Sequence, residues 1–206
     1  MSNNFDTLIS NAISEKENLK IKMEEYRVTF KHQISEFSKQ WFMNTAKLEI
    51  EGSPELVKSV GIDRLRELKR EIENLADNSP ELVDKYLDNE ELWWNLKEDL
   101  TSRYSSDNRI PRKIEDEIRI MFGHLGKLLS KDGFVDVSIN RESFATTWHL
   151  NGKIRYPFGI NFPSSIEATY REYSKLKIAA IEKNDEIKNL QNEKDKADVG
   201  NLWDSL

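Results

Sequence analysis

The chain has 206 residues, a net charge of −6, 33% charged residues and no cysteine. The lack of cysteine excludes disulfides, thiolate metal ligands and a cysteine nucleophile, and it favours a cytoplasmic location. The sequence has no basic leader followed by an apolar run and no stretch of 18 apolar residues, so we expect neither secretion nor membrane insertion. Five tryptophans, six tyrosines and nine phenylalanines argue against disorder throughout.

Residues 1–51 are predicted to form one long helix. No glycine or proline interrupts them, and apolar residues recur at mostly helical spacings of the coiled-coil type. The charged turn at 15–17 interrupts this stripe, so we expect the turns before it to form a separate, looser piece. A helix of about 45 residues is roughly 65–70 Å long and needs a packing partner of similar length. The stripe comprises Phe5, Leu8, Ala12, Leu19, Met23, Tyr26, Phe30, Ile34, Phe37, Trp41 and Leu48.

Residues 52–162 are predicted to form a helical module that contains a β-hairpin. Ser53-Pro54 and Ser79-Pro80 have the residues that favour helix starts, and both introduce short helices. A further helix is predicted to open at Pro111, to run to Lys131 and to stop at Gly133.

Strand signals follow that helix. The apolar period changes to two at residues 135–139, and a second strand-like run covers residues 144–150. Asn151-Gly152 is a strong hairpin signal, because both turn positions tolerate positive φ, and the return strand is predicted over 153–158. We therefore expect a small antiparallel sheet between helices.

Residues 163–199 are predicted to form a long C-terminal helix, followed by an apolar tail over 200–206. Ser164 and Glu167 have capping-box spacing, and no glycine or proline occurs from 164 to 199. The predicted fold class is therefore α+β, mostly α, in which the two long terminal helices form a coiled-coil stalk. The sequence leaves open whether these helices pair antiparallel within one chain or between chains.

Catalytic signatures are absent from the sequence. It contains no glycine-rich phosphate loop, no GxSxG elbow and no HExxH pair. Asp132-Gly133-Phe134 is explained by a helix stop, and the spacing of His32, His124 and His149 does not suggest a metal site. We therefore predict no enzymatic activity, no cofactor and no metal.

The first functional hypothesis is a non-enzymatic interaction or assembly subunit of a larger intracellular complex, with a protein partner or a second copy of the chain. Long helices of mixed charge offer extended contact surfaces. For the tail, two alternatives remain open: it folds back on this protein's own helices, or it anchors in a partner. The predicted contact residues are Trp41, Phe42, Trp94, Leu202, Trp203 and Leu206.

The alternative hypothesis is a DNA-binding module of winged-helix type, dimerised by the long helices. Residues 101–165 carry ten basic and seven acidic groups, and a helix followed by a hairpin is the order of a recognition helix and a wing. The predicted nucleic-acid contacts are Arg112, Lys113, Arg119, Lys127, Lys153 and Arg155.

Overall fold

The described residues of the computed structural model form five helices and three short strands. The described residues are 2–79, 81, 84, 87, 112–139, 146–150, 153–155 and 160–204. The chain divides into two compact units. The first consists of Met1–Thr29, Glu90–Asn108 and Ala168–Leu206, and the second of Phe30–Asn89 and Arg109–Glu167.

The described chain is mostly helical, with a long helix towards each end of the sequence, as predicted. The N-terminal helix α1 runs without a break through the charged turn at 15–17, so the predicted interruption there is wrong. The C-terminal helix passes through Gly200 and ends five residues after the predicted end at Val199. The helices are α1 (Ser2–Glu51), α2 (Pro54–Val60), α3 (Ile62–Asp77), α4 (Arg112–Lys131) and α5 (Ser164–Asp204).

In the first unit, α1 and α5 run antiparallel within one chain. Asp6 on α1 pairs with Lys194 on α5 at 2.7 Å, whereas Glu15, further along α1, pairs at 2.7 Å with Lys183, further back on α5. The carboxylates raise the pKa of both lysines, chiefly through these hydrogen bonds. The helices therefore align in opposite directions, with the start of α1 beside the end of α5.

The facing side of α1 has a regular three-and-four spacing. Its less exposed positions are Phe5, Ile9, Ala12, Lys16, Leu19, Met23 and Arg27. Lys16 belongs to this series because its Nζ donates a hydrogen bond to Asn184 Oδ1 on α5 at 2.7 Å. The structure thus continues the stripe through the charged turn. Leu8 and Tyr26, which were predicted to lie in the stripe, are 44% and 37% exposed.

The second unit has its own hydrophobic core. The second half of α1, together with α3 and α4, surrounds this core, and the two residues after Gly133 complete it. Its buried members are Phe42, Ala46, Leu68, Ile72, Ala76, Met121, Phe122, Leu125, Leu129, Phe134 and Val135. These side chains recur at three- and four-residue spacings on each helix, so the amphipathic pattern accounts for the packing.

Gly133 ends α4, as predicted. Its φ is +80°, a conformation that glycine adopts without the steric cost other residues incur. The Gly133 N–H donates to the Ser130 carbonyl at 3.1 Å, and the Phe134 N–H donates to the Leu129 carbonyl at 3.0 Å. These two bonds form a Schellman motif, and the buried Phe134 and Leu129 are its apolar pair. The Asp-Gly-Phe tripeptide is therefore explained by the helix end.

Three short strands follow α4: β1 (Asp136–Ile139), β2 (Thr146–Leu150) and β3 (Lys153–Arg155). Their backbones pair antiparallel in the order β1-β2-β3. Val137 is opposite Trp148, and His149 is opposite Ile154. The predicted strand residues 144, 145 and 156–158 lie outside the described residues.

Candidate functional site

The end of α5 carries the most exposed cluster of large apolar side chains among the described residues. Val199, Leu202 and Trp203 are 66%, 67% and 77% exposed. They occupy positions i, i+3 and i+4 of a continuous helix and therefore share one side of it. We call these three residues the terminal apolar face. Leu206, also predicted to make contacts, lies outside the described residues.

The exposure of this face separates the two alternatives for the tail. Docking onto the protein's own helices would cover most of the Trp203 ring, yet 77% of the residue is exposed. The segment was expected to leave the helix at Gly200, but Gly200 is helical, and a Cβ at that position would meet open space. The described part of the tail therefore extends α5 and does not fold back.

The surroundings of the terminal apolar face are acidic. Asp195 and Asp198 precede Val199 and Leu202 by one helical turn and so lie beside them. Both aspartates contribute to the raised pKa of Lys194, after the larger effect of its bond to Asp6. The last turn of α5 contains no basic residue. A helix C-terminus also carries partial negative charge, so the whole end of α5 favours a positively charged neighbour.

The structure places Trp41 and Phe42 in or against the core. Phe42 is 0% exposed and offers no surface to a partner, which corrects its predicted contact role. Trp41 is partly buried, and its ring stacks on Phe122 with centroids 4.2 Å apart and planes 14° from parallel. Trp41 belongs to the predicted apolar stripe and Phe42 is its neighbour in sequence, and the second unit uses both for packing. Trp94 lies outside the described residues.

The predicted nucleic-acid contacts are not brought together among the described side chains. Arg119 pairs with Asp116 at 3.2 Å and with Glu115 at 3.6 Å, so its charge is locally neutralised. Lys127 is exposed on α4. The side chains of the other predicted residues, Arg112, Lys113, Lys153 and Arg155, lie outside those that the structure describes.

Sequence reasoning missed a cluster of charges around Arg64. The Arg64 Nε donates to both carboxylate oxygens of Asp132 at 3.1 and 3.0 Å, and Nη1 donates to Glu67 and Glu71. These carboxylates raise the pKa of Arg64, with Asp132 as the largest contributor. The cluster ties α3 to the residue that precedes Gly133. Its partners are separated by up to 68 positions, which spacing alone does not reveal.

A second exposed apolar pair was also missed. Ile21 and Val28 on α1 are 60% and 58% exposed and lie seven residues apart, so they share one side of the helix. The signal was present in the sequence as a second heptad spacing. It was hidden because Met23 and Tyr26, which lie between the two residues, fit the main apolar stripe of the helix.

Two further properties concern the described residues alone. Within them, no group of three or more histidine, aspartate or glutamate side chains is arranged to hold a metal ion. No described helix combines the length and apolar character that crossing a bilayer requires. Comparisons with protein-family models, with curated proteins and with solved structures give no match.

Proposed function

We propose that this protein is a non-enzymatic interaction or assembly subunit of a larger intracellular complex. In this proposal the α1–α5 pair acts as a coiled-coil stalk and the terminal apolar face is a contact surface. The observation that carries the proposal is the exposure of Val199, Leu202 and Trp203 on one side of a helix. Contiguous exposed apolar residues are typical of interaction sites, and tryptophan is enriched among residues that dominate binding energy.

The exposed pair on α1 adds support. Ile21 and Val28 recur at a heptad spacing on a helix whose other side already faces α5. A helix with two such sides suits an assembly in which further helices are added laterally. Aromatic side chains elsewhere in the described chain, such as Phe42 and Phe122, are buried in the second unit's core and need no partner.

The test is native co-purification from cells that produce the protein, with and without nuclease, followed by mass spectrometry. We expect a protein partner in fixed stoichiometry that survives nuclease treatment, and native mass spectrometry of the purified complex gives that stoichiometry. A chain recovered alone, or only with substoichiometric proteins that vary between preparations, would contradict the proposal.

The alternative remains a DNA-binding module of winged-helix type, formed by helix 111–131 and hairpin 144–158 and dimerised by the long helices. The order of α4 and the antiparallel strands β1–β3 favours it. The pairing of Arg119 with two carboxylates weighs against it, because such a residue has less charge to offer a phosphate.

Replacing Lys153 and Arg155 by alanine tests this alternative. If the hairpin contacts phosphates, DNA binding weakens and the slope of log affinity against log salt falls by about 2. Lys69→Ala with Arg70→Ala on α3 is a matched control, since it removes the same charge from exposed positions. An unchanged salt slope in the hairpin variant would eliminate the alternative.

A further inference from the structure

The terminal apolar face has a geometry that limits what can cover it. Val199 and Trp203 are one turn apart, and Leu202 lies beside them, so the three side chains form a compact apolar projection. Helices that present such i, i+3 and i+4 anchors bind by inserting them into an apolar groove. A groove on a protein is therefore a better geometric match than a flat surface.

The charged residues beside the terminal apolar face indicate which residues should surround that groove. Asp195 and Asp198 flank the face, and Asp204 lies in the last turn, where no basic residue occurs. Lys194 is paired with Asp6 at 2.7 Å, so its charge is already compensated. Lys196 adds one positive charge, which leaves an acidic excess around the face. A partner with basic residues at the groove edge complements this arrangement.

We infer that the terminal apolar face docks into an apolar groove edged by lysine or arginine side chains on a partner protein. This inference rests on the proposed function and specifies its partner. A second copy presenting the same end would bring Asp195 and Asp198 against their own equivalents, which is unfavourable. An anionic lipid surface is repelled for the same reason.

The first experiment identifies the occupant. The full chain, with a photoreactive benzoylphenylalanine in place of Trp203, is irradiated in cells that produce the protein, and the cross-linked peptide is mapped by mass spectrometry. We expect the adduct to lie on one partner protein, in an apolar groove with lysine or arginine at its edge. Cross-links to a second copy alone, to a groove edged by acidic residues, or to no protein at all would overturn the inference.

The second experiment measures the affinity of the purified partner for four variants at low and high salt. Trp203→Ala should weaken binding by about 30-fold or more, as for a central hot-spot residue. Asp195→Asn with Asp198→Asn should weaken binding at low salt by about three- to tenfold and reduce its salt dependence. Two variants are controls. Ile62→Ala removes an apolar side chain that is 63% exposed in the other unit, and Asp185→Asn with Glu193→Gln removes the same charge elsewhere on α5.

Both control variants should bind as the unaltered chain does. Circular dichroism checks that all variants fold, which the 77% exposure of Trp203 leads us to expect. A stoichiometric partner that binds the Trp203→Ala chain with unchanged affinity, or binding independent of salt, would overturn the inference and leave the proposed function intact. Failure to recover any partner would refute both. Co-sedimentation of the chain with phosphatidylcholine vesicles in a Trp203-dependent manner would also overturn it.

Discussion

Phe122 is the central aromatic residue of the second unit's core, and its truncation to alanine is a direct test of that core. It is 7% exposed, stacks on Trp41 at 4.2 Å and meets Phe42 at a centroid distance of 6.0 Å. Phe→Ala changes at such sites cost about 3–5 kcal/mol, because transfer free energy is lost and a cavity remains. For a chain of this length the melting temperature should fall by roughly 6–20 °C.

Urea denaturation followed by circular dichroism measures this loss, and Ile120→Ala is the matched control. Ile120 lies on the same helix, two positions before Phe122, but is 54% exposed, so its truncation should change the free energy of unfolding by less than about 0.5 kcal/mol. A double-mutant cycle with Trp41→Leu and Phe122→Leu should give a coupling of about 0.5–1.5 kcal/mol. A cost below about 1.5 kcal/mol for Phe122→Ala would refute the packing described for this core.

Three further changes test local features. Gly133→Ala should lower the free energy of unfolding by about 1–2 kcal/mol, because Gly133 has a positive φ that alanine adopts only with strain. Gly200→Ala should raise it by about 0.5–1 kcal/mol, because the added Cβ meets open space on a helix. Equal effects of the two changes in urea titrations would contradict this prediction. Replacing Lys16 and Asn184 by leucine should raise the melting temperature but promote self-association, measured by sedimentation velocity, because polar residues at such positions specify pairing at a cost in stability. Burial raises the pKa of Tyr170, so the unfolded chain ionises first and the free energy of unfolding falls as the pH rises above about 10. Tyr170→Phe should flatten that fall above about pH 10, and an identical pH profile would contradict it.

The long helices were predictable because their signal is repeated over many turns. The uninterrupted run of residues 1–51 and the Ser164–Glu167 start of α5 are local features, and the structure reproduces both within a residue or two. The stop at Gly133 was equally local, since a glycine after the last apolar residue of α4 is a common helix end.

The predictions that were wrong concern residues whose environment depends on a second helix packed against their own. Leu8 is apolar and Ile9 is apolar, but only the position of α5 decides which of them is the more exposed. The charge of Lys16 predicts an interruption of the apolar stripe. The sequence does not reveal that Lys16 faces α5, because its hydrogen-bond partner Asn184 lies 168 positions away. The end of α5 was placed too early because a single glycine costs only about 1 kcal/mol, which a long established helix tolerates.

The sequence identified two residues of the terminal apolar face but not their conformation or exposure. Leu202 and Trp203 were identified as contact residues, yet the sequence did not show whether they were covered. Trp41 and Phe42 had the same aromatic character, and their burial depends on α4 meeting α1. The acidic surroundings of Trp203 gain their meaning only when α5 is known to continue past Gly200.

The antiparallel pairing of the two ends also has a consequence in time. Asp6 and Lys194 are 188 positions apart, so the first turns of α1 are synthesised long before the turns of α5 that face them. At about 5–20 residues per second, the interval is roughly 10–40 s. Throughout this interval Phe5, Ile9 and Ala12 lack their native cover, so in a nascent chain these turns of α1 are open to wrong pairings or to a chaperone.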